Sequence, residues 1–143
     1  MVTKINDIAA RILDNFQSIF LFFARLTIAY GFFDPAMNKW GNISGTASWF
    51  ESMGIPFPTL NVYMVATFES LGVVLLALGL FTRIISLPLI GTMVVAIITV
   101  HLGNGFSSGD NGFEIPLYYL LFLGIFASFG AGKISVDNFL TKK

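Results

Sequence analysis

Cysteine is absent from this chain of 143 residues, which excludes disulfides, thiol redox chemistry within the chain, and thiolate metal or iron–sulfur sites. Charge is scarce as well: only 11% of residues are charged, against roughly a quarter in an ordinary soluble domain. Eight basic and eight acidic residues give a formal net charge of zero, and no basic stripe is present, so neither nucleic acid nor a polyanion is an expected partner. Histidine occurs once, at His101. A single histidine cannot supply paired haem ligands, and His101 could form a metal site with Glu69 and Glu114 only if three helices converged closely, so no metal is expected. Gly103, Gly105, Gly109 and Gly112 lack the strand-and-helix context of a phosphate-binding loop, and neither a serine-nucleophile elbow nor a zinc-hydrolase motif occurs.

What is present is apolar. Hydrophobic residues make up 55% of the chain, and the mean hydropathy is +0.79. A soluble globule of this size would lack the polar surface to cover itself. Apolar runs near 16–33, 62–81, 84–100 and 114–129 predict an all-α, four-transmembrane-helix bundle forming a single domain over 1–143, with the lipid bilayer as its first partner. The start does not read as a cleaved signal peptide, because its apolar run begins late, contains Arg25 and lacks a small-residue cleavage site. Ahead of it Ile5, Ile8, Ala9, Ile12, Leu13 and Phe16 recur at helical spacing, which predicts an interfacial N-terminal segment leading into the first span.

Asp34 and Pro35 are expected to close the first span. The polar stretch from Asp34 to Asn61 follows, with a short helix predicted near Thr46–Met53 and with Trp40, Trp49, Phe50, Phe57 and Tyr63 suited to a cap at the lipid interface. The three-residue connection at 81–83 makes the second and third spans antiparallel neighbours. Pro88 falls early in the third span, where proline is least disruptive. Gly130 and Gly132 stop the fourth, and Ala66, Ser70, Gly72, Gly79 and Gly91 suit close helix packing. With four spans, one side carries Lys4, Arg11, Arg83, Lys133, Lys142 and Lys143 while the loops on the other carry only Lys39. This asymmetry predicts that both termini are cytoplasmic in a cell inner membrane.

Glu69, inside the second run, is the anomaly in this pattern, since a lone carboxylate is costly in hydrocarbon. At 1.5 Å per residue it lies about 10 Å below the outer start of its span, and Arg25 lies about 12 Å below the outer end of the first. The two are therefore expected to meet, either as a structural pair that fixes helix register or as part of a site. His101 and Glu114 close the outer ends of the third and fourth spans. The resulting candidate is a ligand-binding or proton-handling site in the outer half built from Arg25, Glu69, His101 and Glu114, with Asn104 and Asp34 near its mouth. Glu114 also suits a helix start and His101 a helix terminus, whatever the function.

The chain resembles the DoxX family of small four-helix membrane proteins across roughly Phe22 to Asp137. The resemblance rests on the order of Arg25, then YGFFDPAMNKW, WFESMGIP, FESLGVVLLALGLFTR, TVHLGNGF, FEIPLYYLLFL and GKISVD. Arg25, Glu69, Arg83, His101, Asn104, Glu114 and Asp137 fall at the family's polar positions. Where many members carry a histidine–glycine pair before the lysine, this chain has Tyr30–Gly31. The resemblance implies a subunit of a redox-linked membrane complex, with a quinone as its ligand and a membrane or soluble redox protein as its partner. The expected alternatives are a structural assembly subunit without a ligand, a small-solute or proton transporter, and self-association into a homo-oligomer. Arg83, Pro88 and Asp137 are expected to serve structure.

Overall fold

The computed structural model describes residues 16–142 together with 6, 7, 9, 10, 13 and 14. The amphipathic lead-in rests largely on positions outside these. Helix α1 is Gln17–Gly41, α2 is Ile43–Ser52, α3 is Pro58–Leu78, α4 is Thr82–Ala96, α5 is Glu114–Phe129 and α6 is Val136–Thr141. No strand occurs among the described residues. Helix α4 is prolonged by a wide π-turn, Ile97–His101, and a 3-10 turn, Leu102–Asn104, so the stretch Thr82–Asn104 is helical over 23 residues. It joins α1 and α3 as one of three helices long and apolar enough to cross a membrane. Helix α5, with 16 residues, spans about 24 Å, somewhat short of a hydrocarbon core of about 30 Å.

The first span does not end at Asp34–Pro35 as expected, and it extends two further turns. Pro35 lies inside α1, where it removes one backbone bond and brings its ring against the carbonyl four residues back. That carbonyl belongs to Gly31. In a membrane bundle neighbouring groups offset such a loss. The buried positions Arg25, Ile28, Ala29, Phe32 and Ala36 keep helical period straight through the proline. The helix stops instead at Asn42, whose N–H bonds back to Asn38 and Lys39 and whose Oδ1 accepts from Gly45 N at 3.0 Å, capping α2.

Helix α2 overlaps the predicted Thr46–Met53 segment and buries Ala47 and Phe50 against Val62, with Ile43, Met53 and Ile55 around them. It caps the end of the bundle where α3 begins, hereafter the capped end. At the opposite, tail end α3 closes through Gly79 at φ +68, with Leu80 N donating to Leu75 O at 2.9 Å. This is the left-handed stop that glycine permits. Between the ends, Ile28, Ala29, Phe32, Leu76, Ile85, Leu89, Leu123 and Phe126 form one buried core. Leu89 fills the space where a Cβ on Gly72 would stand, so α3 and α4 approach closely there as the small residue suggested. Large apolar side chains such as Phe20, Leu87, Ile98 and Phe129 point outward, as a lipid-facing surface requires.

The tail end is closed by a clasp between distant segments. Asp137, on α6, accepts from Phe81 N at 2.8 Å and from Thr82 N at 3.1 Å, and its own N–H donates to Gly79 O at 3.0 Å. It thereby caps the N-terminus of α4 from 55 residues away, satisfying donors that no local side chain reaches. Asp137→Ala should lower the thermal midpoint of the purified protein in lipid by the equivalent of about 1–2 kcal/mol, the ordinary worth of an N-cap. Asn138→Ala, which loses one exposed bond to Lys133 O, should fall within about 0.5 kcal/mol of wild type.

Candidate functional site

Lys39 enters the site because α1 runs past Pro35. Its Nζ lies 2.8 Å from Glu69 Oε2, 3.0 Å from Oε1 and 3.3 Å from Pro35 O. An ammonium has three donors, and all three are engaged. Glu69 is 2% exposed, and so deep a carboxylate is tolerable only when paired and hydrogen-bonded. One residue further along both helices, Trp40 Nε1 donates to Ser70 Oγ at 2.9 Å. The two adjacent rungs lock the antiparallel register of α1 on α3.

Arg25 is elsewhere, and the expected Arg25–Glu69 contact does not form. Fourteen residues separate it from Lys39, about 21 Å along a helix, which carries it to the tail end. There, fully buried, it donates from Nη1 to Leu76 O at 2.7 Å and from Nη2 to Ile134 O at 2.5 Å. A Cβ at Gly79 would occupy the guanidinium's place, so that glycine serves Arg25 as well as the helix stop. The expectation failed because ending the helix at Asp34 measured Arg25's depth from the wrong point.

Between the α1–α3 pair and the α4–α5 pair, under α2, lies a cavity of about 560 Å³. Most of its wall is apolar, contributed by residues such as Met64, Phe68, Met93, Val100 and Ile115, while Lys39, Glu69, His101 and Tyr119 supply the polar points. Pro88 and Gly91 also border it. Trp49 lines it, whereas Trp40 is held by Ser70. Tyr119 is placed by an edge-to-face contact with Phe32, with centroids 5.3 Å apart, and its hydroxyl fills the space that a Cβ at Gly31 would need. No residue among those described accepts a hydrogen bond from that hydroxyl.

His101 ends the π-turn, a helical irregularity frequent at functional sites. Its Nδ1 lies 2.8 Å from Asn111 O. A backbone carbonyl can only accept, so Nδ1 carries the proton, and Nε2 of the neutral ring is left as an acceptor. Asn104 Nδ2 donates to the same carbonyl at 3.2 Å and to Val100 O at 3.3 Å. It therefore positions the loop that orients His101 without lining the cavity.

Glu114 and Asp34 also stand outside the cavity lining. Glu114 Oε2 accepts from Ser108 N at 3.0 Å and Oε1 accepts from Tyr118 Oη at 3.0 Å, so it staples the loop after the π-turn to α5. Asp34 is exposed on α1. Of the expected constellation, the cavity thus holds Glu69 and His101, with Asn104 and Glu114 supporting the loop behind His101. Lys39, Tyr119 and Trp49 complete it. The signal for Lys39 was the unbroken spacing of Phe32, Ala36 and Lys39 beyond the proline. Tyr119, inside an apolar run, carried none. Among the described residues no group of three His, Asp or Glu is placed to hold a metal ion.

A bundle of apolar helices with a polar-tipped cavity near one end defines a helical membrane protein with a ligand-sized interior. The DoxX family pattern matches residues 20–102, over half the chain, and the protein belongs to the DoxX family. It is 30% identical over 134 residues to an uncharacterized protein of Haemophilus influenzae, covering 88% of this chain and 86% of that one. A second uncharacterized protein of that organism is 31% identical over 144 residues, covering 92% and 98%. A Bacillus subtilis protein named "Putative oxidoreductase CatD" is 35% identical over 112 residues, covering 78% and 79%. No solved structure matches the chain.

Lys39→Met should destabilise the protein by about 3–5 kcal/mol, since it strands a buried carboxylate, whereas Lys39→Met with Glu69→Leu should recover most of that loss. Arg25→Met combined with Glu69→Leu should show no coupling beyond about 0.5 kcal/mol, because the two groups share no partner. Thermal unfolding of the single and double variants in nanodiscs measures both.

Proposed function

We propose that this DoxX-family protein is the membrane-embedded subunit of a redox-linked complex and holds an amphipathic, quinone-like ligand in the cavity beneath α2. The observation that carries this reading is the cavity itself, about 560 Å³, apolar along its length and polar at Lys39, Glu69, His101 and Tyr119. An apolar chamber with a few converging polar groups suits a ligand with a ring and a tail.

The residues fit a quinone head. Tyr119 Oη can donate to a ring carbonyl, and His101 Nε2 can accept from the hydroxyl of the reduced form. Lys39 has no donor to spare, so the ion pair contributes a fixed local dipole at the cavity wall. A bound quinone would supply the two-electron chemistry; the protein's part is to orient the ring, keep water out and offer one proton acceptor. With no cysteine and a single histidine, the electrons enter from a partner protein. The name of the Bacillus relative points the same way.

The basic residues at the tail end, opposite the cavity, support four spans in a cell inner membrane with both termini cytoplasmic and the cavity in the outer half. The core around Phe32, Leu76, Leu89 and Phe126 stands between the cavity and the tail end. That seal favours ligand binding over passage of a solute through the bundle.

Trp49 lines the cavity, so binding can be followed by native fluorescence. A quinone with a single isoprenoid unit, titrated into the intact protein in nanodiscs, should quench saturably. Tyr119→Phe and His101→Ala should each weaken binding by about tenfold, equivalent to about 1.4 kcal/mol. Linear, non-saturating quenching of the wild type would return the chain to a structural assembly role, and wild-type affinity in both variants would remove the assigned hydrogen bonds.

A further inference from the structure

A second hollow, of about 440 Å³, lies at the tail end between the start of α4 and the segment after α5. Its wall combines Arg83 with Gly130, Ser135, Asn138 and Thr141, and its rim carries the outward apolar side chains Phe81, Ile84 and Phe129. It shares no lining residue with the capped-end cavity.

Among the described residues Arg83, which is exposed, forms no ion pair. Its guanidinium lies over Gly130, where a Cβ would meet Nε at 3.2 Å, and glycine is required at that position in any case by φ +80. The one hydrogen bond Arg83 makes among the described residues is a long one, from Nη1 to Ala127 O at 3.4 Å. Asp137 lines the same hollow, but each of its oxygens accepts a backbone N–H, and the one ion pair among the described residues is Lys39–Glu69. Arg25, for its part, donates to the carbonyls of Leu76 and Ile134. The segments 79–83 and 130–142 add Lys133 and Lys142 and no further carboxylate.

An exposed guanidinium beside a polar hollow, in no ion pair among the described residues and ringed by outward aromatic and aliphatic side chains, matches a molecule with an anionic phosphate attached to acyl chains. We propose that this hollow is a binding site for one anionic phospholipid. Its phosphate pairs with Arg83 and its headgroup hydroxyls reach Ser135, Asn138 and Thr141. Its acyl chains lie along Phe81, Ile84 and Phe129. Arginine suits this role because its planar fork grips phosphate in two-point fashion, and basic pockets between spans at the membrane surface recognise lipid headgroups in the same way. A free phosphate would use the same guanidinium but gain nothing from the apolar rim.

Native mass spectrometry of the full chain, released from micelles containing equal phosphatidylglycerol and phosphatidylcholine, tests the site. One phosphatidylglycerol should be retained about fivefold more tightly than phosphatidylcholine, the preference expected from one cation beside an anionic headgroup. Arg83→Gln should abolish that preference, while Lys142→Gln, which alters the same surface outside the hollow, should leave it within about twofold. Equal retention of the two lipids by the intact protein overturns the proposal, even should Arg83→Gln not fold. So does a preference that survives in Arg83→Gln, or one lost equally in Lys142→Gln, which would mark a diffuse basic surface. Displacement of the lipid by millimolar glycerol phosphate would assign the site to soluble phosphates instead and overturn it too.

Discussion

The pairing of Lys39 with Glu69 is the constraint from which the capped end follows. A carboxylate so nearly enclosed in an apolar helix must find a cation, and the cation has to come from a neighbouring helix at the same depth. Sliding α1 by one turn along α3 would strand both charges. The pair therefore specifies register more than it adds stability, since a buried ion pair is often no more stabilising than well-packed hydrocarbon of equal volume. Once register is set, Trp40 meets Ser70 and Gly31 comes to face Tyr119. Lys39 and Glu69 are that match itself, whereas His101 is placed by the turn at 97–101 and the loop after it.

The opposite end relies on different chemistry. Arg25 and Asp137 both bond to backbone, at Leu76, Ile134, Phe81 and Thr82, so charged side chains there close helix termini that would otherwise leave donors and acceptors unmet in a dry setting. Arg25 lies far from any cavity chemistry and is the more buried of the two. At the tail end Arg25 and Asp137 serve the backbone, while at the capped end the ion pair borders the cavity under α2. The core of Phe32, Leu76, Leu89 and Phe126 lets the two ends differ, because it isolates them.

Much of this architecture could be read from residues alone, since its causes are local or periodic. Apolar runs of span length marked the helices, the short connection at 81–83 made α3 and α4 neighbours, and Glu69 announced a buried polar site because nothing in an apolar helix explains it. The errors have one origin. Pro35 reads locally as a stop, although the period of Phe32, Ala36 and Lys39 runs on through it. Ending α1 early moved Arg25 to the wrong depth and left Lys39 among loop residues. The π-turn that aims His101, and the cap that Asp137 provides across 55 residues, are tertiary effects with no sequence period to reveal them.

The wide turn at 97–101 also bears on how His101 comes to line the cavity. A regular α-helix would continue to present successive residues every 100 degrees or so, and the last turn would carry unmatched carbonyls toward the cavity. Here the turn widens, and the loop that follows folds back on itself, with Phe113 N and Glu114 N donating to Gly105 O and Phe106 O, both at 3.0 Å. That closure brings Asn111 O to His101 Nδ1, and Asn104 and Glu114 hold the loop from either side. The ring is thus fixed in one tautomer by backbone rather than by a carboxylate. A carbonyl partner orients the ring without placing a further charge beside an apolar chamber. Glu114 is not the partner of that ring, since its oxygens accept from Ser108 and Tyr118.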